Sequence, residues 1–321
     1  MTLLIEALQA VAGLAILYFG GEWLVRGSIL ITQRLGVSSL VIGVTIVAAG
    51  TSMPEMAVSV HAAAIGENDI SLGNVVGSNV CNIALILGLA AMLRPLSTSG
   101  SMTRIHTPVM ILVSLVLMFM LRDGRLGLEE GVALLISIIL YTCCVLVEAR
   151  RSGGGKDGAS SGTDIAPGRG FGYALLLIVA GLGLLFAGGN LLVAAAVNLA
   201  TAAGVSEAFI GLTIVAVGTS LPELTTSVIA SFKGEGDIAV GNIVGSNIFN
   251  ILGILGVSAV VEPLAMGGIT WTDLCVMLAV AILLLVLLLT EKRPGPISGA
   301  LLLASYTGYV AWLSVSASIV S

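Results

Sequence analysis

Long apolar runs, separated by short polar breaks, set the pattern of this chain. They cover residues 3–33, 38–65, 70–93, 107–121, 128–149, 171–201, 206–231, 238–261, 272–290 and 297–317. A helix needs roughly 20 apolar residues to cross a bilayer, and the runs predict about ten such helices. A membrane barrel would need short alternating segments, and these runs are too long and continuous for that. The pattern therefore predicts an all-α integral membrane protein.

Two of the runs are interrupted in the same way. "GTSMPEM" at 50–56 and "GTSLPEL" at 218–224 each place hydroxyls, a proline and a glutamate inside an apolar stretch. Displaced by 168 residues, the chain aligns with itself without a gap from Val11 to Leu96. "GVTIVAAGTSMPE" (43–55) matches "GLTIVAVGTSLPE" (211–223) at ten of thirteen positions, and "GNVVGSNVCN" (73–82) matches "GNIVGSNIFN" (241–250) at seven of ten. Shared membrane-helix composition does not put Pro, Glu, Asn and Gly in register this often.

The chain thus reads as a first five-helix repeat (1–149), a flexible Gly/Ser-rich linker (150–170) and a second five-helix repeat (171–321). Five spans are an odd number, so the second repeat enters the membrane from the opposite side. Inverted repeats with a site at the midplane are an architecture of secondary transporters.

Composition sharpens this picture in three respects. The chain is 57% hydrophobic and 10% charged, against about 25% charged in a soluble domain. Arg34, Arg94, Arg104, Arg150, Arg151, Lys156, Arg169, Lys233, Lys292 and Arg293 share one side of the predicted topology, with Arg122 and Arg125 on the other. The positive-inside rule then puts both termini outside and the linker in the cytoplasm, in a multi-pass protein of the cell membrane. The four cysteines lie in predicted spans without disulfide or metal spacing, and read as small buried hydrophobes.

The interruptions carry the chemistry. Pro54 and Pro222 lack an N–H and clash with the preceding turn. They predict discontinuous helices that display Thr51, Ser52 and Glu55 in one repeat and Thr219, Ser220 and Glu223 in the other. A central acidic group costs about 3 kcal/mol on insertion scales, and neither motif contains a basic partner. A bound cation accounts for the glutamates better than packing does. Asn74, Ser78 and Asn82 follow an i, i+4, i+8 stripe, copied by Asn242, Ser246 and Asn250. Ser78, Asn82 and their twins read as further ligands. Gly73, Gly77, Gly241 and Gly245, with Asn79 and Asn247, read as helix packing. All these donors are hard oxygens. Calcium takes such ligands in flexible geometry, and two carboxylates balance one divalent ion.

These paired motifs resemble the two alpha-repeats of the calcium/cation antiporter superfamily, and the likeness within it is to the prokaryotic sodium/calcium exchangers. The resemblance implies exchange of sodium for calcium by alternating access. It implies that Glu55 and Glu223 are the central calcium ligands, and that Thr51, Ser52, Thr219, Ser220, Ser78 and Ser246 help form flanking sodium sites. It further implies backbone carbonyls near Ala48 and Ala216 as ligands, with Asn82 and Asn250 at the remaining positions. Several relatives carry Asp where this chain has Asn250, so the stoichiometry stays open and potassium independence is expected. In the family picture the long spans at 3–33 and 171–201 slide against the core, and their "GG" pairs (20–21, 188–189) suit close packing.

Other residues have plainer readings. Glu22 is expected to pair with Arg26, His61 to be interfacial, and Asp69 and Asp237 to be N-caps. Proton-coupled antiport of calcium or another divalent cation is the alternative function, and a cation channel is less favoured. An enzyme is excluded by the lack of a triad, since only His61 and His106 exist and neither pairs with a repeated nucleophile. No cofactor and no nucleic-acid partner is expected; the partners are calcium, sodium and the bilayer, with a homo-oligomer left open.

Overall fold

The computed structural model describes residues 2–151, 170–203, 216–291 and 293–320. The helices are α1 (Thr2–Leu35), α2 (Ser39–Thr51), α3 (Met53–Ala64), α4 (Asn68–Leu93), α5 (Met102–Asp123) and α6 (Leu128–Arg151). After the linker come α7 (Phe171–Ala202), α8 (Ala216–Thr219), α9 (Leu221–Phe232), α10 (Gly236–Val261), α11 (Trp271–Thr290) and α12 (Pro296–Val320). Among the described residues eight helices are long and apolar enough to cross a membrane, and α2 with α3 makes a ninth as one bent span. The expected span 206–231 begins outside the described residues, with α8 and α9 as its described part. Most of the expected linker, 152–169, also lies outside them.

The spans 78% and 83% buried are α4 and α10, whereas α6 and α12 are 17% buried. The former two therefore form the centre and the latter two the rim. Leu72, Val76, Val80 and Leu87 of α4 meet Ile243, Val244 and Ile251 of α10 in the main apolar cluster. Polar side chains on these central helices are thus presented to protein rather than to lipid.

A second apolar cluster joins α1 and α7 through Leu17, Leu24, Leu30, Ala174, Ile178 and Leu185. Glycines seven residues apart set the approach. Gly13 faces Gly188 and Leu192, Gly20 faces Gly181 and Leu185, and Gly27 faces Ala174 and Ile178, so the two helices run antiparallel. A methyl group at Gly20 would stand 2.7 Å from the Leu185 nitrogen. The expected "GG" pairs contribute one glycine each to this seam. Gly21 instead meets Thr225 and Ile229 of α9.

Several expectations need correction. Glu22 pairs with Lys233 at 2.6 Å rather than with Arg26, a partner brought in by the fold from the far repeat. Asp69 and Asp237 are not caps, because α4 and α10 begin ahead of them with Glu67 and Glu235 at the N-cap positions. Instead Asp69 Oδ1 accepts from the Gly268 amide at 2.6 Å, and Asp237 Oδ1 from the Ser99 amide at 2.7 Å. Each aspartate thereby ties the loop of one repeat to the other. Only Cys81 is buried; Cys143, Cys144 and Cys275 are exposed on outer faces where lipid supplies the apolar contact, and all four are free. A feature absent from the apolar pattern is a two-stranded antiparallel sheet of β1 (Arg125–Leu126) and β2 (Leu264–Ala265), with Arg125 opposite Ala265.

The glycine seam generates a test. Gly20→Val forces backbone apart, and overpacking of this kind costs roughly 1–3 kcal/mol. The variant should melt several degrees below the parent in detergent. Gly183→Ala, where an added methyl meets nothing within 4 Å, should melt with the parent; equal melting of all three would remove the seam from the structure's stability.

Candidate functional site

The first span of the site breaks at Ser52, where α2 and α3 meet at 47°. Ser52 has φ −83° and ψ 8°, and Ser220 repeats this with φ −87° and ψ 7° ahead of α9. Pro54 and Pro222 stand in the first turn of the resumed helix, where a missing N–H costs no helical bond. Proline therefore opens the second half-helix, while serine makes the bend. Glu55 and Glu223 also fall in these first turns. The positive end of each half-helix favours a carboxylate there.

The repeats hold each other's glutamates. Ser52 donates to Glu223 Oε1 at 2.9 Å, and Ser220 donates to Glu55 Oε1 at 3.2 Å. Thr51 and Ser246 also approach the Glu223 carboxylate. Both glutamates are wholly buried. Their backbones are fixed in the same way: Asn74 donates to the Glu55 carbonyl at 3.2 Å and to Ser59 at 2.9 Å, while Asn242 donates to the Glu223 carbonyl at 3.4 Å and to Ser227 at 3.0 Å. Asn74 and Asn242 are thus struts under the glutamates, whereas Ser246, further along the second stripe, approaches the Glu223 carboxylate itself.

Further contacts cross between the repeats. Thr51 donates to Asn242 Oδ1 at 3.0 Å and, in its own helix, to the Val47 carbonyl at 3.1 Å. Ser246 donates to the Ala48 carbonyl at 3.3 Å. Gly245 permits this approach: a methyl there would stand 2.7 Å from the Val44 Cα. Ser78 is buried in α4, Ala216 lies in α8 and Thr219 lies on the wall of a cavity.

Asn82 and Asn250 complete the centre, both fully buried. Helix α3 packs on the turn 250–254, and α9 packs on the turn 81–87. Both turns are π-helical, a geometry frequent at functional sites and invisible in residue spacing. Four side-chain oxygens here are buried without a hydrogen-bond partner: Glu55 Oε2, Glu223 Oε2, Asn82 Oδ1 and Asn250 Oδ1. An unsatisfied buried polar group costs roughly 1–3 kcal/mol, more when charged. Among the described residues no three His, Cys, Asp or Glu side chains cluster, so this donor set is hard oxygen, suited to alkali and alkaline-earth cations rather than soft metals.

A cavity of about 610 Å³ leads from this region along α3 toward Ile65 and Ile70, with His61, Gly189, Asn190 and Pro222 on its walls. His61 is exposed and lines this cavity.

Comparison with known proteins follows this geometry. A family model described as "Sodium/calcium exchanger protein" matches residues 5–147 and again 173–315, two stretches offset by 168 residues. The inner membrane protein YrbG of Escherichia coli (strain K12) is 35% identical, over 98% of this chain and 97% of its own. The sodium/calcium exchanger MaX1 of Methanosarcina acetivorans is 31% identical, over 93% of this chain and 95% of its own. A solved structure of the sodium-calcium exchanger NCX_Mj, soaked with sodium and strontium, superposes with a TM-score of 0.83 at 32% identity, covering 96% of this chain and 99% of that one.

The reciprocal serine contacts predict a paired effect. Ser52→Ala and Ser220→Ala each strip a buried carboxylate of a donor, and each should destabilise the protein by about 1–3 kcal/mol in ion-free buffer. Thermal unfolding of the purified variants checks this, and unchanged melting in both would show that neither hydroxyl bears on the glutamates.

Proposed function

The chain belongs to the sodium/calcium exchanger family, and from that premise we propose that it is a secondary active antiporter that exchanges sodium for calcium by alternating access. The observation that carries this reading is the set of four unpartnered buried oxygens, two from carboxylates and two from amides. Calcium takes six to eight oxygens in flexible geometry, carboxylate and carbonyl included. In this reading calcium sits between Glu55 and Glu223, with Asn82 and Asn250 as its amide ligands. Sodium ions take flanking sites formed by Thr51, Ser52, Ser246 and the Ala48 carbonyl on one side. Thr219, Ser220, Ser78 and the Ala216 carbonyl form the counterpart on the other. Calcium and sodium are substrates; the reading assigns no catalytic step and no cofactor.

The proposed topology has ten spans, in repeats 1–149 and 171–321 of opposite orientation joined by a cytoplasmic linker, with both termini outside. The antiparallel course of the twin helices α1 and α7 supports it. So do the loop contacts. Asp69 with Gly268 and β1 with β2 join segments assigned outside, while Asp237 with Ser99 and Leu96 with Pro294 join segments assigned inside.

Alternating access is supported by a broken symmetry. On the inner side Gly21 packs against Ile229, and the Glu22–Lys233 pair at 2.6 Å lies beside this contact. The twins of these four residues are Gly189, His61, Asn190 and Ile65, and all four line the cavity. The same positions are thus packed together inside and parted outside, as an outward-open state requires. Exchange between the two arrangements would carry the ions across.

Sodium-loaded proteoliposomes diluted into sodium-free buffer test the function. Radioactive calcium uptake is expected only with internal sodium. Uptake driven solely by a proton gradient would transfer the coupling to protons, and uptake without any counter-ion would make the protein a channel. Glu55→Gln and Glu223→Gln should each abolish uptake while the protein still folds; normal uptake in both would sink the proposed site.

The inner contact gives a second prediction. Lys233→Met removes a half-exposed ion pair worth at most about 1 kcal/mol, or roughly fivefold in an equilibrium. The inner side should then open more often and the outer cavity close. A thiol placed by His61→Cys should react up to about fivefold more slowly with an impermeant maleimide. Unchanged reactivity would mean that this pair does not bias the states.

A further inference from the structure

We propose that Asn79 and Asn247 are positioning residues that aim the amide oxygens of Asn82 and Asn250 at the transported ion, and that their clasp accepts only hydrogen-bond donors at positions 82 and 250. The proposal rests on the ion-binding reading above and deepens it.

The orientation of each amide follows from its partners, because a carboxamide donates at one end and accepts at the other. A backbone carbonyl can only accept. Asn79 Nδ2 lies 3.3 Å from the Asn247 carbonyl, and Asn247 Nδ2 lies 3.1 Å from the Asn79 carbonyl. Asn79 Nδ2 also meets Met277 Sδ at 3.8 Å. The nitrogen ends of Asn79 and Asn247 are thereby assigned, and their oxygen ends face the neighbouring ligands. Asn250 Nδ2 donates to Asn79 Oδ1 at 3.0 Å, and Asn82 Nδ2 donates to Asn247 Oδ1 at 3.1 Å. Apart from the contact with Met277 of α11, each of these links a residue of α4 to one of α10, the two most buried spans.

The consequence is that Asn82 and Asn250 cannot turn. Their nitrogens are held, and their Oδ1 atoms are left buried and without a protein partner. Shape packing alone would not require four reciprocal bonds of this polarity. The clasp also has a chemical preference. At positions 82 and 250 it presents an acceptor, so a carboxylate there would set oxygen against oxygen. An amide fits at both positions, and the charge at the centre stays with Glu55 and Glu223. Two negative charges then face one divalent ion.

Two double-mutant cycles test the proposal, read as calcium affinity of the purified full-length protein by titration calorimetry and as KM and kcat in proteoliposomes. Asn79→Leu should weaken calcium binding tenfold or more, as loss of an outer partner of a metal ligand does, with KM changing more than kcat. Adding Asn79→Leu to Asn250→Ala should cost little further, whereas adding it to Asn82→Ala should cost the full factor. Asn247→Leu should show the mirror pattern, coupled to Asn82→Ala and independent of Asn250→Ala. General loosening of the helix pair would not produce this crosswise coupling. If every pair is additive, the positioning role is wrong and the ion site stands. If Asn82→Ala and Asn250→Ala both bind calcium normally, the ion-site assignment of these amides is itself wrong. Asn79→Ala and Asn247→Ala, which leave room for water, carry the same cycles should a leucine variant not fold.

Discussion

The structure depends on one constraint: a polar group sunk between apolar helices must find its partner in the protein, and here the partner lies in the other repeat. Ser52 answers Glu223, and Ser220 answers Glu55. Asn79 and Asn247 exchange bonds through their backbone carbonyls. Each repeat taken alone would bury carboxylates and amides without donors, at a cost of several kcal/mol for charged groups. The repeats are therefore obligate partners, and the site can exist only where they meet. What remains unsatisfied after these contacts is a set of oxygens alone. A buried centre that holds leftover acceptors selects a cation by elimination, before size or coordination number is considered.

In the proposed cycle, stability and mobility fall to different parts of the molecule. The clasp lies on α4 and α10, which also contribute heavily to the main apolar cluster, while α1 and α7 share a smaller cluster with Ile42 and Val47 of α2. Their seam is made by glycines against backbone, which gives close contact with few interlocking side chains. Such a pair holds together as a unit. Its links to the rest of the protein include Gly21 against Ile229 and Glu22 with Lys233, and an exposed ion pair contributes little. In the proposed exchange cycle the centre holds the ligands, and the pair of α1 and α7 moves as a unit beside it.

Much of this was legible in the residues, and the limits have physical causes. Helix positions followed from apolar runs, and the candidate site was proposed from polar residues at places where lipid-compatible ones surround them. Repetition at an offset of 168 residues separated purpose from chance. Periodicity reports faces, however, not partners. It grouped Asn74 with Asn82 on one stripe, although Asn74 braces Glu55 and Asn82 reaches the centre. It left Asn79 to packing, because the chain offers no sign that Asn247 stands across from it. Their equivalence under the 168-residue offset was the available signal: in the proposed inverted arrangement, twins meet near the axis that relates the halves. Glu22 was matched to Arg26 by the helical i, i+4 rule, while the fold supplied Lys233. The π-helical turns at 81–87 and 250–254 leave no mark on composition.

A nearly repeated sequence has two equivalent ways to arrange its halves, and a single structure must choose one. In the proposed topology the inner positions are Gly21, Glu22, Ile229 and Lys233, which make one apolar contact and one ion pair. Their outer twins, Gly189, Asn190, His61 and Ile65, line a cavity. Three of these four positions differ between the repeats, Gly21 and Gly189 being the same residue, and in the proposed topology the difference favours closure inside. An isoleucine fills the space against glycine without desolvating a polar ring, whereas His61 must shed water to do the same. Asn190 and Ile65 offer no charge pair to offset that cost. The residues that depart from the repeat thus bear on which side opens, while those that obey it build the site both sides share. Exchange needs both: identity at the centre so that either state binds the same ions, and difference at the rim so that the resting state is defined.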